Sequence, residues 1–291
     1  MINTAKILLK FIASLLLVKN KELFIKKYGL IGIRFILYIY SILPWKNNSF
    51  LFKISGSDKY DQYYDLYNIL TSLKNQDQKL NILEIGIGGH DKNYSGGNSL
   101  IALEFIFKKS NIIGFDYEDK SFLKNKRTFI YKGDQSKVID LKKITEDWET
   151  LDVIIDDGSH FVDHQLASFE YLFNFLNEGG VYIIEDVQGS YAKCMNGDPE
   201  LDKSKNLVTY FSNYTHCTNH KFIIEKFKDK YVKYFNFEKI LFVENAILIQ
   251  KKKNSKLSEK FSEDELYLTL DEMNIKKNRI KDKIGIIKQG I

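Results

Sequence analysis

Two apolar runs of the chain, LDVIIDDGSH and GGVYIIEDVQ, each end in ionisable residues. Asp157 and His160 end the first run, and Glu185 and Asp186 lie near the end of the second. Such runs predict buried β-strands, and the carboxyl ends of parallel strands meet at one edge of a sheet. Converging carboxylates repel each other unless they are protonated or bind a cation. The pattern therefore predicts a Mg²⁺ site on Asp157, Glu185 and Asp186, with open positions for two oxygens of a substrate diol.

His160 lies three residues after Asp157, so an imidazole is expected close to the predicted ion. An imidazole that titrates near neutrality suits a general base that takes the proton of a substrate hydroxyl. Simpler roles compete with this one. Asp156 is interpreted as a structural residue because a DD pair at a strand end often caps a helix, and an ED pair can form a solvated turn. The joint occurrence of these residues at adjacent predicted strand ends favours catalysis.

A glycine-rich turn follows the first predicted strand in the segment LEIGIGG. Glu84 ends the strand, and Gly86, Gly88 and Gly89 lie in the turn, where missing side chains let a ligand approach the backbone and a helix N-terminus. The glycines alone leave a dinucleotide site and a simple tight turn both open. Their spacing differs from the GxGxxG pattern that binds a pyrophosphate, which favours an adenosyl ligand without a diphosphate.

The next two predicted strands also end in residues that can bind a nucleoside. Asp116 ends the second strand, where a carboxylate can accept hydrogen bonds from both ribose hydroxyls. Asp134 and Gln135 follow the third strand and can bind the exocyclic amine of adenine. A glycine turn, a ribose acid and an adenine ligand at three successive strand ends predict S-adenosylmethionine rather than NAD.

The elements that would position these residues alternate from about residue 79 onwards. Short β-rich runs are separated by helical stretches, which predicts a doubly wound, mostly parallel α/β sheet of Rossmann-like type. The predicted strands are LNILEIGI, NIIGFDY, RTFIYKG, LDVIIDD and GVYIIED, and the predicted helices are NSLIALEFIFKK and HQLASFEYLFNFLNEGG. The glycine pair of the second helix predicts its C-terminal cap. Near the end, two apolar runs separated by EN predict a closing pair that adds an antiparallel strand.

The composition is typical of a globular protein that acts inside a cell. A chain of 291 residues with 44% hydrophobic residues can bury a large core. The formal charge of +5 comes from 43 basic and 38 acidic residues, a near-balance that predicts no nucleic-acid partner. Cys194 and Cys217 have neither the number nor the spacing of a disulfide framework or a metal site. The expected location is the cytoplasm, including the inner face of the cytoplasmic membrane.

The chain begins with two strongly apolar runs, residues 7–18 and 30–43. Each is shorter than the roughly 20 residues that span a bilayer and has helical spacing with one narrow polar stripe. Packing on the main domain or on a second subunit is favoured. The predicted assembly is a homo-oligomer. Peripheral membrane contact through residues 1–50 stays open as the alternative. The predicted division of the chain is a helical region at 1–54, a catalytic domain at 55–253 and a charged tail at 254–291.

The motifs resemble those of the metal-dependent sugar O-methyltransferases of macrolide biosynthesis, in the class I S-adenosylmethionine-dependent superfamily. The similar segments are GSDKY at 56–60, NILEIGIGGHDKNYSGGNSL at 81–100, GFDYEDKS at 114–121, RTFIYKGDQS at 127–136 and the run at 152–192. The resemblance covers roughly residues 55–250. It implies a class I methyltransferase fold, the same three metal ligands and His160 as the base. The predicted cofactor-binding residues are Glu84, Gly86, Gly88, Gly89, Ser99, Asp116, Asp134, Gln135 and Asp157.

The chain departs from that family in two segments. The macrolide enzymes carry an N-terminal region that builds substrate and subunit contacts, and short apolar helices replace it here. Their SDK segment is followed by a histidine and aromatic residues, whereas DQYYDLY supplies only tyrosines here. The predicted acceptor is therefore a sugar hydroxyl of a bacterial surface polysaccharide or of a glycosylated metabolite.

Two other functions stay open on the sequence alone. One is a metal-dependent glycosyltransferase in which Asp156 and Asp157 hold a nucleotide sugar, although the first turn lacks a basic residue that would clamp a phosphate. The other is a non-catalytic subunit of a membrane-associated glycan assembly complex. An intact set of three acids and a histidine argues against that subunit, because a non-catalytic domain is expected to lose them.

Overall fold

The structure is a computed structural model, and it describes most of the chain between residues 61 and 253. The described residues are 29, 31–35, 37–38, 40–41, 51–52, 55, 57, 59, 61–89, 96–201, 206–223, 225–228, 230, 236–253 and 272. The described residues between 29 and 41 are helical, whereas the apolar run at 7–18 and nearly all of the predicted tail lie outside the described residues. Within these ranges, no helix combines the length and the apolar character that crossing a bilayer requires.

A seven-stranded sheet forms the centre of the fold, as the alternating pattern predicts. The strands are β1 (Asn81–Ile85), β2 (Asn111–Asp116), β3 (Thr128–Lys132), β4 (Leu151–Asp156), β5 (Leu176–Glu185), β6 (Phe237–Val243) and β7 (Ala246–Lys251). Their order in the sheet is β3-β2-β1-β4-β5-β7-β6. Pairs among β1 to β5 are parallel, and β7 is antiparallel to both β5 and β6. The predicted α/β class with a closing antiparallel strand is confirmed.

Helices cover both faces of the sheet. In the described residues between 61 and 253, the α-helices are α1 (Asp61–Leu73), α2 (Asn98–Ile106), α3 (Val138–Asp147), α4 (Val162–Leu172), α5 (Leu207–Ser212) and α6 (Glu225–Lys228). Buried residues of α1 and α2 pack in one core, and those of α3, α4 and α5 pack in a second core. In β4, Val153 and Ile155 belong to the first core and Ile154 to the second. Because both faces are buried, the strands have continuous apolar runs rather than an alternating pattern.

The glycine pair at 179–180 does not cap a helix, so that prediction is wrong. Helix α4 ends at Leu172, a 3-10 turn follows at Phe173–Phe175, and β5 already begins at Leu176. Gly179 lies inside β5 with a φ of 68°, beside a register shift in the β4–β5 pairing. The glycine therefore serves a strand irregularity, which is a common role for glycine within a strand.

The break predicted at EN is a tight turn between the two last strands. Glu244 and Asn245 join β6 to β7, and Asn245 has a φ of 62°, which asparagine adopts more readily than most residues. Because β7 pairs with β5, this turn lies at the carboxyl end of β5. It brings the side chain of Asn245 to the acidic strand ends.

Candidate active site

The carboxyl ends of β1, β4 and β5 lie side by side, and each carries an acidic residue. Glu84 lies near the end of β1, Asp157 follows β4 and Glu185 ends β5. The chain runs outward from β1 to β3 on one side and to β5 on the other, so the strand order reverses here, where open α/β sheets bind ligands. A cavity of about 290 Å³ opens at this edge. Its lining comprises Lys59, Tyr63, Ile87, Gly88, Gly89, Gly96, Gly97, Asn98, Ser99, Asp157, His160, Glu185 and Asp186.

Lys59 is a buried cation at the centre of this acidic cluster. Its Nζ lies 2.7 Å from Asp157 Oδ2, 2.7 Å from Glu185 Oε2 and 3.4 Å from Glu84 Oε1. Burial on its own lowers the pKa of Lys59, but the charges of Asp157 and Glu185 raise that pKa well above its usual value. A positive charge of the protein is therefore fixed between three strand ends.

Both carboxylate oxygens of Glu185 accept hydrogen bonds from the protein. Its Oε2 accepts the hydrogen bond from Lys59, and its Oε1 accepts one from the hydroxyl of Tyr67 at 2.6 Å. The residue is fully buried, and this burial raises the pKa of its carboxyl, while the charge of Lys59 opposes the shift. In this arrangement Glu185 binds Lys59 and Tyr67 rather than facing an open position.

Asp186 is held in a left-handed backbone conformation, with a φ of 55°. Its Oδ1 accepts hydrogen bonds from Tyr63 Oη at 2.6 Å and from Asn245 Nδ2 at 2.8 Å. The backbone N–H of Asp186 also donates to Tyr63 Oη at 3.1 Å. Helix α1 and the β6–β7 turn thus fix one carboxylate oxygen, and the other oxygen, Oδ2, faces the imidazole of His160.

His160 also has a left-handed backbone, with a φ of 60°, and its side chain reaches the cavity. Its Nε2 lies 3.5 Å from Asp186 Oδ2, and its Nδ1 has no hydrogen-bond partner among the described residues. Asp157, His160 and Asp186 each offer one ligand atom, and these atoms lie within 4.8 Å of one another. The imidazole thus lies next to two carboxylates that are open to the cavity.

The glycine turn brings β1 against β4. Gly86 has a φ of 78°, and a Cβ atom at this position would lie 2.1 Å from the backbone oxygen of Asp157. Only glycine fits such an approach. Gly88, Gly89 and Ser99 line the cavity beside the start of α2.

Glu84 is a buried carboxylate without a hydrogen bond. Neither of its side-chain oxygens has a hydrogen-bond partner in the described part of the chain, although Lys59 forms an ion pair with it. Burial raises the pKa of Glu84 to about 7, and the charge of Lys59 opposes this shift. Lys59 balances the charge of Glu84 at 3.4 Å, but the carboxylate oxygens can still accept hydrogen bonds, so an additional donor such as the amino group of a ligand would fit here.

Asp116, Asp134 and Gln135 lie outside the lining of the cavity, at the neighbouring strand ends. Asp116 Oδ2 accepts a hydrogen bond from the backbone N–H of Ile87 at 2.7 Å, which ties β2 to the glycine turn. Asp134 pairs with Lys137 at 3.1 Å on the rim. Gln135 donates to Asp156 Oδ1 at 2.7 Å and, through Oε1, accepts from the N–H of Ser159. These contacts place the three residues beside the site without bringing them into the cavity.

Asp156 is interpreted as structural, and its burial predicts a pH dependence of stability. Its carboxylate is fully buried and accepts hydrogen bonds from Gln135, Gly158 and Tyr182. Burial raises its pKa to about 7, so the folded protein holds this proton more tightly than the unfolded chain does. Stability is lost as pH rises from about 4 to about 7, by up to about 1.4 kcal/mol per pH unit.

We expect Asp156→Asn to remove this part of the pH dependence. Urea unfolding in EDTA at about pH 5, about pH 6 and about pH 7 would measure it, since the slope of stability against pH reports the proton difference. Asp65→Asn, at an exposed position of α1, is the matched control. Equal slopes for wild type and Asp156→Asn would contradict the assignment.

The donor set fits a divalent ion that prefers oxygen ligands. Asp157 and Asp186 each have one oxygen bound by protein donors, Lys59 for the first and Tyr63 with Asn245 for the second. The second oxygen of Asp157 remains for an ion, and Asp186 would offer Oδ2, which lies beside the imidazole of His160. Such support from surrounding donors is typical of metal ligands. Two carboxylate oxygens with room for water or substrate oxygens suit Mg²⁺.

Sequence reasoning missed Lys59, Tyr63, Tyr67 and Asn245. Lys59 is part of the GSDKY segment and Asn245 is part of the EN break, so both lay within segments that the sequence marked. Nothing in the local pattern indicates that Lys59 forms salt bridges with two carboxylates that lie 98 and 126 residues further along the chain. The pairing arises only because Lys59, just before α1, packs against the strand ends.

Known proteins resemble up to about half of the chain in sequence. No protein-family profile matches the chain. It is 36% identical over 122 residues to the 8-demethyl-8-alpha-L-rhamnosyl tetracenomycin-C 2'-O-methyltransferase of Streptomyces olivaceus, which is 42% of this chain and 32% of that protein. It is 34% identical over 145 residues to the demethylmacrocin O-methyltransferase of Streptomyces fradiae, which is 50% and 35% of the two chains. It is 36% identical over 127 residues to the mycinamicin VI 2''-O-methyltransferase of Micromonospora griseorubida, which is 43% and 32%. The chain spans about a third of the length of these relatives.

Solved structures resemble the chain over a larger part. The MycE methyltransferase of the mycinamycin pathway, in complex with Mg and SAH (S-adenosylhomocysteine), matches with a TM-score of 0.67 and 26% identity, over 80% of this chain and 60% of that chain. The same enzyme in complex with Mg, SAH and mycinamycin VI matches with a TM-score of 0.65 and 24% identity, over 82% and 64% of the two chains. The fold is thus the class I methyltransferase fold.

Proposed function

We propose that this chain, whose homologues are sugar O-methyltransferases, transfers a methyl group from S-adenosylmethionine to a sugar hydroxyl with the help of Mg²⁺. The observation that carries the proposal is the cavity at the switch point of the sheet, where Asp157, His160 and Asp186 converge beside a glycine turn. The relatives support it because the enzymes named above methylate sugar-bearing compounds. Their names favour methyl transfer over glycosyl transfer and over a non-catalytic role.

The cofactor would bind along the carboxyl ends of β1, β2 and β3. Its amino group would satisfy the buried carboxylate of Glu84, and its reactive end would lie against Gly86, Gly88, Gly89 and Ser99. Asp116 would accept hydrogen bonds from the ribose, and Asp134 or Gln135 would bind the adenine amine. Asp157 would contact the cofactor from the other side of the glycine turn, since its backbone lies next to Gly86.

The metal site would comprise Asp157, Asp186 and Glu185. Asp157 keeps one oxygen that Lys59 does not contact, and Asp186 would offer Oδ2, which lies 3.5 Å from His160 Nε2, whereas Glu185 would reach an ion only if Lys59 gave up its contact. A bound Mg²⁺ supplies Lewis acidity, which lowers the pKa of a hydroxyl that it coordinates, and it orients a neighbouring oxygen of the sugar. The charges and hydrogen bonds of the protein hold these carboxylates in place before the substrate arrives.

His160 would take the proton of the sugar hydroxyl on Nε2. The hydroxyl oxygen forms a bond to the methyl carbon while the carbon–sulfur bond breaks, and the electron pair of that bond stays on sulfur as a thioether. Asp186 Oδ2, at 3.5 Å, stabilises the imidazolium that results. The in-line approach makes positioning a large part of the rate enhancement.

A second proposal concerns the compound that carries the methylated sugar. The names of two relatives contain a glycosylated acceptor, a rhamnosyl tetracenomycin-C and an L-olivosyl-oleandolide, so a glycosylated metabolite is the acceptor that they support. The surface polysaccharide, the homo-oligomer, the peripheral membrane contact through residues 1–50 and the cytoplasmic location stay predictions from the sequence.

Calorimetric titration with S-adenosylhomocysteine, with and without Mg²⁺, tests the proposed function first. We expect binding in the micromolar range, because the residues proposed for the adenosyl group lie at three neighbouring strand ends. Transfer of labelled methyl groups from S-adenosylmethionine to glycosylated metabolites or isolated polysaccharides would then separate the two acceptor classes. If the folded protein binds neither S-adenosylhomocysteine nor S-adenosylmethionine, the proposal is contradicted.

A further inference from the structure

The acidic cluster at the strand ends consists of an open part and a closed part. Asp157 and Asp186 are partly exposed to the cavity, with side-chain exposures of 21% and 18%. Glu84 and Glu185 are fully buried behind them, and the side chain of Lys59 is 1% exposed. Lys59 bonds to one carboxylate of each part, Asp157 in the open part and Glu185 in the closed part.

We infer that Lys59 is a resident counter-ion that competes with the divalent cation for the carboxylates of Asp157 and Glu185, and thereby sets the metal affinity of the site. This inference rests on the proposed function, because it concerns the metal that the function requires. The competition follows from the contacts, since Lys59 Nζ already occupies Asp157 Oδ2 and Glu185 Oε2 at 2.7 Å each.

The charge of Lys59 weakens metal binding whether or not Lys59 moves when the metal binds. If Lys59 stays in place, its charge repels a divalent ion on Asp157 at short range. If it leaves, metal binding must replace two short ion pairs that are shielded from water, where such pairs interact more strongly than at the surface. In both cases a neutral residue at position 59 strengthens metal binding.

The same contacts give Lys59 a role in the metal-free protein. Three carboxylates within reach of one ammonium group would repel each other in its absence, and Glu84 and Glu185 are fully buried. Lys59 therefore keeps the strand ends together until a metal replaces part of its charge. The ion pairs of Lys59 thus hold the carboxylates in place before the ion binds.

The test compares Lys59→Met with Lys59→Arg in Mg²⁺ titrations by calorimetry and in thermal unfolding, both without cofactor. For Lys59→Met we expect Mg²⁺ to bind at least about tenfold more tightly than in wild type, since a repelling unit charge is removed. Its metal-free form should melt at a lower temperature, and Mg²⁺ should raise that temperature by more than it does in wild type. Lys59→Arg keeps the charge and should show no gain in affinity.

Unchanged or weaker Mg²⁺ binding by Lys59→Met, in protein that still binds S-adenosylhomocysteine, would overturn the inference. An equal gain in Lys59→Arg would overturn it too, because size rather than charge would then be responsible. Should Lys59→Met not fold, the same comparison in the Glu185→Gln background removes one repelling carboxylate, and Lys59→Met should again tighten Mg²⁺ binding there. Loss of cofactor binding in wild type would instead count against the proposed function, so the two failures are distinguishable.

Discussion

Replacing His160 with alanine is expected to lower methyl-transfer turnover by about 10²–10⁴-fold, the usual contribution of a general base. The imidazole is next to the open carboxylates, with Nε2 at 3.5 Å from Asp186 Oδ2. Binding of S-adenosylhomocysteine should stay within about threefold of wild type, since a general base contributes to proton transfer and not to cofactor affinity. Single-turnover kinetics and calorimetry on the same preparation measure the two quantities.

Two further variants test whether loss of the His160 imidazole itself causes the lower turnover. His160→Asn keeps a side chain that tolerates the left-handed backbone at this position, so it separates loss of the imidazole from backbone strain. His216→Ala changes an exposed histidine that does not line the cavity and should leave turnover unchanged. Cofactor affinity that falls in step with turnover would make His160 a structural residue.

The second large effect is expected for Asp157→Asn, which should abolish the response of activity to Mg²⁺. Asp157 belongs to the open part of the cluster. It forms an ion pair with Lys59 and is a proposed ligand of the ion. Loss of its charge should weaken Mg²⁺ binding by more than about 100-fold, because changes to residues that only support metal ligands already cost about 10–100-fold. Calorimetric titration with Mg²⁺ measures this without any turnover.

Asp65→Asn on the exposed side of α1 removes the same charge from the protein without touching the cluster. It should bind Mg²⁺ as wild type does. Full activity of wild type in EDTA, or unchanged Mg²⁺ binding by Asp157→Asn, would refute the metal assignment. A Tm that falls equally in the presence and absence of Mg²⁺ would point to a purely structural role of Asp157.

Much of the fold could be predicted from the sequence because its signals are local. A strand buried on both faces is a short continuous apolar run, and LDVIIDD and GVYIIED have this pattern in β4 and β5. The EN break also predicted the β6–β7 turn. The glycine pair at 179–180 misled the prediction, because glycine serves both helix ends and strand irregularities and its local sequence does not distinguish them.

The candidate site was predictable only in part. The acids and His160 could be named because they lie at the ends of predicted strands or within three residues of them, and parallel strands bring their carboxyl ends to one edge. Which carboxylate oxygens are bound by the protein could not be predicted, since the donors come from Lys59, from α1 and from the β6–β7 turn. Asp186, for example, is fixed by Tyr63, 123 residues away, and by Asn245, 59 residues away.

The sequence by itself thus determined the fold class, the edge of the sheet that binds ligands and the residue types that converge there, because short-range periodicity and strand ends encode them. The tertiary structure alone decided the charge balance of the site. It placed Lys59 between Asp157 and Glu185, and it placed Asp186 Oδ2 beside the imidazole of His160. The physical reason is that ion pairs and hydrogen bonds form between groups that are close in space, and only the packing of helices on the sheet brings these groups together.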